Sequence, residues 1–184
     1  MDNGASSYRR FLEGEKNAFS ELLDLYRDNL IFFINRTIHN LHVAEELAAD
    51  CFVELLVHPK RYNFQYSLKT YLFTIAHHKT VNYIRHNKRS QPMSMEEMAE
   101  KSEAYLSFEE DILRSHQQQA VHRALETLRE DYRNVLHLLY FEELSYEEAA
   151  RIMGKNKKQI DNLAYRAKGA LREILEKEGI SYEG

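Results

Sequence analysis

Apolar residues recur every three to four positions through most of this chain, and the phase of that recurrence divides it into helices. Over residues 17–38, Phe19, Leu22, Leu23, Tyr26, Leu30, Phe33 and Ile34 fall on one face. After a short break at 39–41, a second helix over 42–57 turns Ala44, Leu47, Ala48, Cys51, Phe52 and Leu55 inward, and Pro59 stops it. A third helix over 68–87 carries Leu68, Leu72, Ile75, Ala76, Val81 and Ile84 as its inner positions. The pattern weakens over 90–108, where Pro92, several serines and a run of acids predict a linker. It resumes over 109–128 with Leu113, Ala120, Val121, Ala124, Leu125 and Leu128. A further helix, with Asp131 as its expected cap, faces Tyr132, Val135, Leu136 and Leu139 inward.

The sharpest local signal lies over 145–172. Ser145 with Glu148 three residues later is a capping box. Tyr146, Ala149, Ala150 and Met153 follow at helical spacing, and Gly154 is placed to end that helix in the left-handed conformation. Asn156 with Gln159 reads as a second cap, opening a longer helix whose inner face is Ile160, Leu163, Ala164, Ala167, Leu171 and Ile174. A short Ala-rich helix, a tight Gly-containing turn and a longer helix make a helix-turn-helix. The outer face of the second helix then carries Lys158, Asn162, Tyr165 and Gly169, flanked by Lys157, Asp161, Arg166 and Arg172. Cations suit phosphates, and an amide and a phenol suit base edges. The competing reading is a helical hairpin with a solvated polar face, and the spacing favours DNA over it.

The fold expected is therefore all-α: two helical domains, 1–89 and 109–184, joined by a flexible acidic linker at 90–108, with the helix-turn-helix in the second. Composition agrees, since in 184 residues glycine (6) and proline (2) are scarce. No long apolar run and no signal peptide are evident, so the chain is expected in the cytoplasm, without membrane insertion. The one cysteine, Cys51, sits among apolar neighbours and reads as a reduced core residue. The net charge of −4 argues against a protein that grips naked DNA unaided, because affinity for DNA comes largely from neutralising phosphates.

Two further surfaces change the picture. Residues 60–67 place Lys60 and Arg61 before Tyr62, Phe64 and Tyr66 in a loop, and aromatic platforms beside cations suit unstacked bases. At least one of these rings is expected to tuck under the loop as core. The third helix continues that chemistry with His77, His78, Lys79, Asn82, Arg85, His86, Lys88 and Arg89. The adjacent histidines are not at the i, i+4 spacing of helical metal ligands, and no metal is expected. The second helix exposes Glu45, Glu46, Asp50 and Glu54; read by itself, this is a solvated helix face. No nucleophile–base pair, Gly-rich phosphate loop or ligand cluster is present, so no catalytic residue and no cofactor are expected.

At this point the chain resembles, from about Ala18 to Leu175, a bacterial RNA polymerase sigma factor of the extracytoplasmic-function (ECF) class of the sigma-seventy family. Three segments carry the resemblance in order. Ala44-Glu45-Glu46-Leu47 with Asp50, Phe52 and Leu55 is similar to the family's polymerase-binding helix. Tyr71-Leu72, Ile75-Ala76 and Asn82-Tyr83-Ile84-Arg85 are similar to its promoter-melting helix. Leu128, Arg133, Val135, then Leu144 to Ala150, Gly154, Ile160, Arg166-Ala167-Lys168 and Leu171-Arg172, are similar to its carboxy-terminal domain. The chain departs from the usual pattern at Ala49, Tyr71, His78, Arg129, Asp161 and Leu163, which bears on promoter sequence rather than on class.

The resemblance implies a non-enzymatic initiation factor whose partners are core RNA polymerase (clamp helices and flap), promoter DNA and an anti-sigma factor. It implies that Glu45, Glu46, Asp50 and Glu54 meet the clamp helices, overturning the solvation reading. It implies a minus-ten surface of Lys60, Arg61, Tyr62, Phe64, His78, Asn82 and Arg85. It also implies a minus-thirty-five surface of Lys157, Lys158, Asp161, Asn162, Tyr165 and Arg166. The alternative is a stand-alone two-domain helix-turn-helix regulator, which would bind duplex DNA without polymerase.

Overall fold

A computed structural model of the chain describes residues 4–90 and 116–177, with side chains for 4–87 and 121–177. All regular structure in the described residues is helical, and none of these helices is long and apolar enough to cross a membrane. Contacts divide the chain into two units, Met1–Ser102 and Glu103–Gly184. The expected linker at 90–108 lies almost wholly outside the described residues, as do Leu113 and the start of the helix expected from 109.

In the first unit the helices are α1 (Ala5–Leu12), α2 (Ala18–Ile38), α3 (Leu41–Val57) and α4 (Leu68–Ser90), with a 3-10 turn at Pro59–Arg61. The core is the shared face of α2, α3 and α4: Leu22, Tyr26, Leu30 and Ile34 meet Ala44, Ala48, Cys51 and Leu55, and Leu68, Leu72, Phe73 and Ala76. Each such large apolar side chain contributes about 1.5–3 kcal/mol when buried. His39, left-handed at φ 53°, ends α2, and the Asn40 side chain then accepts from the Val43 amide at 3.3 Å to start α3.

Two features differ from the pattern read along the chain. Helix α1 was not anticipated. It is only eight residues long, too short to declare a period, and is held by contacts outside itself: Ser7 Oγ donates to Glu21 at 2.6 Å and Arg10 pairs with both Glu15 and Glu21. Gly4 caps it at φ 75°, where a Cβ would meet the Tyr26 ring at 2.9 Å. On α4, Val81 is 41% exposed instead of internal, and Thr80 is buried in its place. The inward face runs Leu72, Ala76, Thr80, and Val81 lies one step round the helix from it; the Thr80 hydroxyl donates to the Ala76 carbonyl at 2.8 Å, so its burial leaves no orphan donor.

In the second unit the helices are α5 (His116–Glu126), α6 (Glu130–Leu136), a π turn at His137–Phe141, α7 (Tyr146–Met153) and α8 (Lys157–Lys177). Asp131 does not cap α6. Arg129 holds the N-cap position, without a side-chain cap bond, and Asp131 sits inside the first turn with Glu130, where two carboxylates suit the positive end of the helix. Arg133 joins α6 back to α5, donating to the Glu126 carbonyl at 3.1 Å and its carboxylate at 2.7 Å. Beneath the π turn, His137 Nε2 lies 3.2 Å from Glu142 Oε1 with both side chains buried. The α8 stripe of Ile160, Ala164, Ala167 and Leu175 closes the core with Leu125, Leu136, Leu138, Ala149 and Ile152.

Candidate nucleic-acid and polymerase interfaces

The turn between α7 and α8 is built by sequence-local hydrogen bonds. The Glu148 amide donates to Ser145 Oγ at 3.2 Å and the Ser145 amide to Glu148 Oε2 at 2.9 Å, completing the capping box. Gly154, at φ 63°, lets the Lys155 amide reach the Ala150 carbonyl at 2.9 Å and the Gly154 amide the Arg151 carbonyl, so these two carbonyls of the last turn of α7 are satisfied. Asn156 and Gln159 then cap each other: the Gln159 amide donates to Asn156 Oδ1 at 2.9 Å, and the Asn156 amide to Gln159 Oε1 at 2.8 Å. The two caps and the glycine turn therefore fix the direction in which α8 leaves.

That direction exposes one face of α8. Lys157, Lys158, Asp161, Asn162, Tyr165 and Arg166 are all exposed, Tyr165 at 79%. A phenol so exposed on a well-packed helix has no packing role. Lys157 is tied to Glu147 on α7, which lowers the Glu147 carboxyl and raises the Lys157 ammonium from their ordinary pKa values. Lys168, one turn beyond the face, lies 5.9 Å over the Tyr140 ring, and its pKa is raised by hydrogen bonding to that phenol.

In the first unit, His78, Asn82 and Arg85 lie on one exposed face of α4 at helical spacing. The loop before α4 is an aromatic cluster. Tyr62 is its floor: 3% exposed, with its hydroxyl donating to the Tyr66 carbonyl at 2.7 Å and its ring 4.6 Å from Phe64 and 5.2 Å from Tyr71. As a stacking face for a base, Tyr62 is therefore covered. Phe64 and Tyr66 are half-buried and keep part of their rings at the surface. Phe64 adopts φ 60°, a left-handed backbone that costs a bulky residue free energy and is held only by its surroundings. The Asn63 side chain accepts from the Gln65 amide at 3.2 Å and supports that bend. Lys60 and Arg61 are exposed beside it.

On α3, Glu45, Glu46 and Asp50 are exposed and Glu54 is partly covered. Three have a cationic neighbour, Arg27 at 3.9 Å from Glu45, Lys79 at 3.3 Å from Asp50 and Arg61 against Glu54, and the His42 ring lies 3.4 Å from Glu46. Two of these pairs join α3 to the minus-ten candidates or their flank, a link that the spacing along the chain did not reveal. Behind the acids, Leu23, Ile31, Phe52 and Ala48 line a groove of about 450 Å³. Among the described residues, no group of three or more His, Cys, Asp or Glu is placed to hold a metal ion.

Sequence reading also passed over Tyr8. Its ring is fully buried, 5.8 Å from Tyr62 and 6.2 Å from Phe64, and its hydroxyl donates to the Leu55 carbonyl at 2.9 Å. Burial, with a smaller contribution from Tyr71, pushes the phenol up to about 12. The available signal was the i, i+3, i+4 spacing of Tyr8, Phe11 and Leu12.

The family model for Sigma-70 region 2 matches residues 22–90, and that for Sigma-70, region 4 matches residues 118–171. The RNA polymerase sigma factor YlaC of Bacillus subtilis is 28% identical over 163 residues, 88% of this chain and 94% of that one. The ECF RNA polymerase sigma factor SigW of the same organism is 24% identical over 171 residues, 89% of this chain and 91% of that one. The sigma factor RpoE of Bartonella quintana, solved in complex with the anti-sigma factor NepR, has the same fold at a TM-score of 0.66 and 23% identity, over 86% of this chain and 96% of that one. The chain belongs to the sigma-70 family of RNA polymerase sigma factors, in its extracytoplasmic-function class. The reading as a stand-alone regulator gives way to it, because that reading leaves the region 2 match without a role.

Proposed function

We propose that this sigma factor uses three surfaces in turn. The acidic face of α3 (Glu45, Glu46, Asp50 and Glu54) docks on the clamp helices of core RNA polymerase. The exposed face of α8 (Lys157, Lys158, Asp161, Asn162, Tyr165 and Arg166) enters the major groove at the minus-thirty-five element, while the second unit also meets the polymerase flap. The loop and α4 (Lys60, Arg61, Phe64, His78, Asn82 and Arg85) hold bases unstacked from the minus-ten element, with Tyr62 as the buried floor of that pocket. In this reading residues 1–89 form the region-two domain, 90–108 the linker and 109–184 the region-four domain. The protein works in the cytoplasm, carries out no chemistry of its own, and is held inactive by an anti-sigma factor, the kind of partner that the Bartonella quintana protein has.

The observation that carries the proposal is the α8 face. Six polar or charged side chains stand exposed on one helix whose exit angle is locked by two capping boxes and a glycine turn. Their chemistry divides as duplex reading requires: Lys157, Lys158 and Arg166 for phosphates, Asn162 and Tyr165 for base edges. The low net charge fits a protein that borrows its grip from polymerase. A gel shift on promoter DNA tests it. The duplex should shift with core polymerase and this chain together, and not with this chain alone; a shift by the chain alone at physiological salt would favour the stand-alone regulator.

A further inference from the structure

Helix α1 touches the minus-ten loop at three points, and the loop's shape depends on them. Tyr8 donates to Leu55, whose carbonyl is one of the last four of α3 and has no partner within its own helix. The bond therefore fixes the end of α3 where the loop begins. The Tyr8 ring then packs against Tyr62 and Phe64, the floor and the left-handed bend of the loop. The neighbouring Arg9 is exposed, and its guanidinium lies 4.8 Å over the Phe64 ring. Arg10 is paired with Glu15 and Glu21, but Arg9 forms no ion pair among the described residues, so its charge is uncommitted.

We propose that α1 is part of the single-strand surface: Tyr8 is a positioning residue for the loop, and Arg9, held over Phe64, contacts the unpaired promoter strand. A guanidinium is planar and charged, so it can stack on a base and bond a phosphate from one position. Phe64 holds that plane beside the half-exposed rings, extending the stacking surface outward from the loop. The cations Lys60 and Arg61 precede the loop in sequence, and Arg9 adds a third from a different helix. Arg61 is already engaged by Glu54, which leaves Arg9 the freer of the two guanidinium groups. The inference rests on the reading of this loop as the minus-ten surface.

The test uses full-length protein assembled with core polymerase on a promoter identified by transcript sequencing. Open complex is read by permanganate footprinting across a salt series, closed complex by filter binding, and assembly by pull-down of core. Arg9→Ala should lower open complex about tenfold and reduce the slope of log yield against log salt by about 0.7, the share of one single-strand phosphate contact. Arg9→Lys should keep the slope and lose yield. Tyr8→Phe, which removes only the hydroxyl, should lower open complex severalfold with closed complex and core assembly unchanged. Wild-type yield and slope in Arg9→Ala, beside a defective Phe64→Ala, would overturn the Arg9 contact. Loss of core assembly in Tyr8→Phe in the same proportion as opening would overturn the positioning role. Normal opening in Phe64→Ala would overturn the reading of the loop, and this inference with it.

Discussion

Arg85 donates through Nη2 to Asn82 Oδ1 at 2.8 Å on the exposed face of α4. The bond orients the amide: its oxygen is engaged by the guanidinium, and its NH2 group remains to donate outward. A flipped base with an acceptor on its edge fits that donor, while the Phe64 ring, in the loop before α4, offers a separate face for stacking. Asn82→Ala and Phe64→Ala should each reduce open complex by about tenfold or more, since a stacking contact is worth about 1–3 kcal/mol. Closed-complex binding through α8 should persist. Tyr62→Ala should behave differently: removing a buried aromatic costs about 3 kcal/mol or more of stability, visible as a lower unfolding midpoint of the first unit.

Reversing charge at Glu46 and Asp50 together should weaken assembly with core polymerase by at least tenfold. Both residues are exposed, and the ion pair of Asp50 with Lys79 is a surface pair worth at most about 1 kcal/mol, so folding should be retained. Pull-down of core and thermal unfolding, measured side by side, check both halves. Undiminished pull-down by the double variant would move the polymerase contact off α3.

On α8, the cations and the amide should fail in distinguishable ways. Lys158→Ala should weaken all promoters alike and lower the salt slope by about 0.9, one duplex phosphate contact. Asn162→Ala should change base preference at one position, at a cost of about 1–3 kcal/mol against the preferred base. Asp161 has two roles open to it: accepting from a cytosine amino group, or favouring the positive start of the helix. A base-preference profile altered by Asp161→Ala selects the first, and an unaltered one the second.

Most of the fold was legible because the described residues are almost wholly helical and the long helices announce their period. The helix-turn-helix was readable to the residue, since each cap is specified by partners three positions apart: Ser145 with Glu148, and Asn156 with Gln159. What could not be read was set by contacts distant in sequence. Helix α1 exists because Tyr8 finds Leu55 and Ser7 finds Glu21. The burial of Tyr62 follows from that same cluster, and the alternation of rings over 62–66 gives no sign of which one lies beneath. The pairing of Arg61 with Glu54 and of Lys79 with Asp50 likewise joins faces that look independent along the chain.

The buried acids make a prediction about alkaline pH. Burial raises Tyr8 from about 10 to about 12 and Cys51 from about 9 to about 12, so the folded state holds both protons more tightly than the unfolded chain does. Their contribution is complete below pH 9, the ordinary thiol value, and is lost as pH rises through 12. Urea-unfolding midpoints should fall across that window, and Tyr8→Phe and Cys51→Ala should each flatten the fall. For the same reason the folded protein at pH 8 should react with a thiol-specific disulfide reagent at least 100-fold more slowly than the urea-unfolded chain, in proportion to the rarity of exposure.

The proposed role of this chain is to give core RNA polymerase its choice of promoter. Core polymerase, this protein and fragmented bacterial genomic DNA should be combined in vitro, and the transcript 5′ ends sequenced. Discrete start sites that require the protein should appear, each preceded by a shared pair of elements near minus ten and minus thirty-five. Changes confined to α8 should redistribute preference at the upstream element alone, and changes to Phe64 or Asn82 should act at the downstream one. Start sites that are the same with and without the protein, or that share no upstream element, would contradict it.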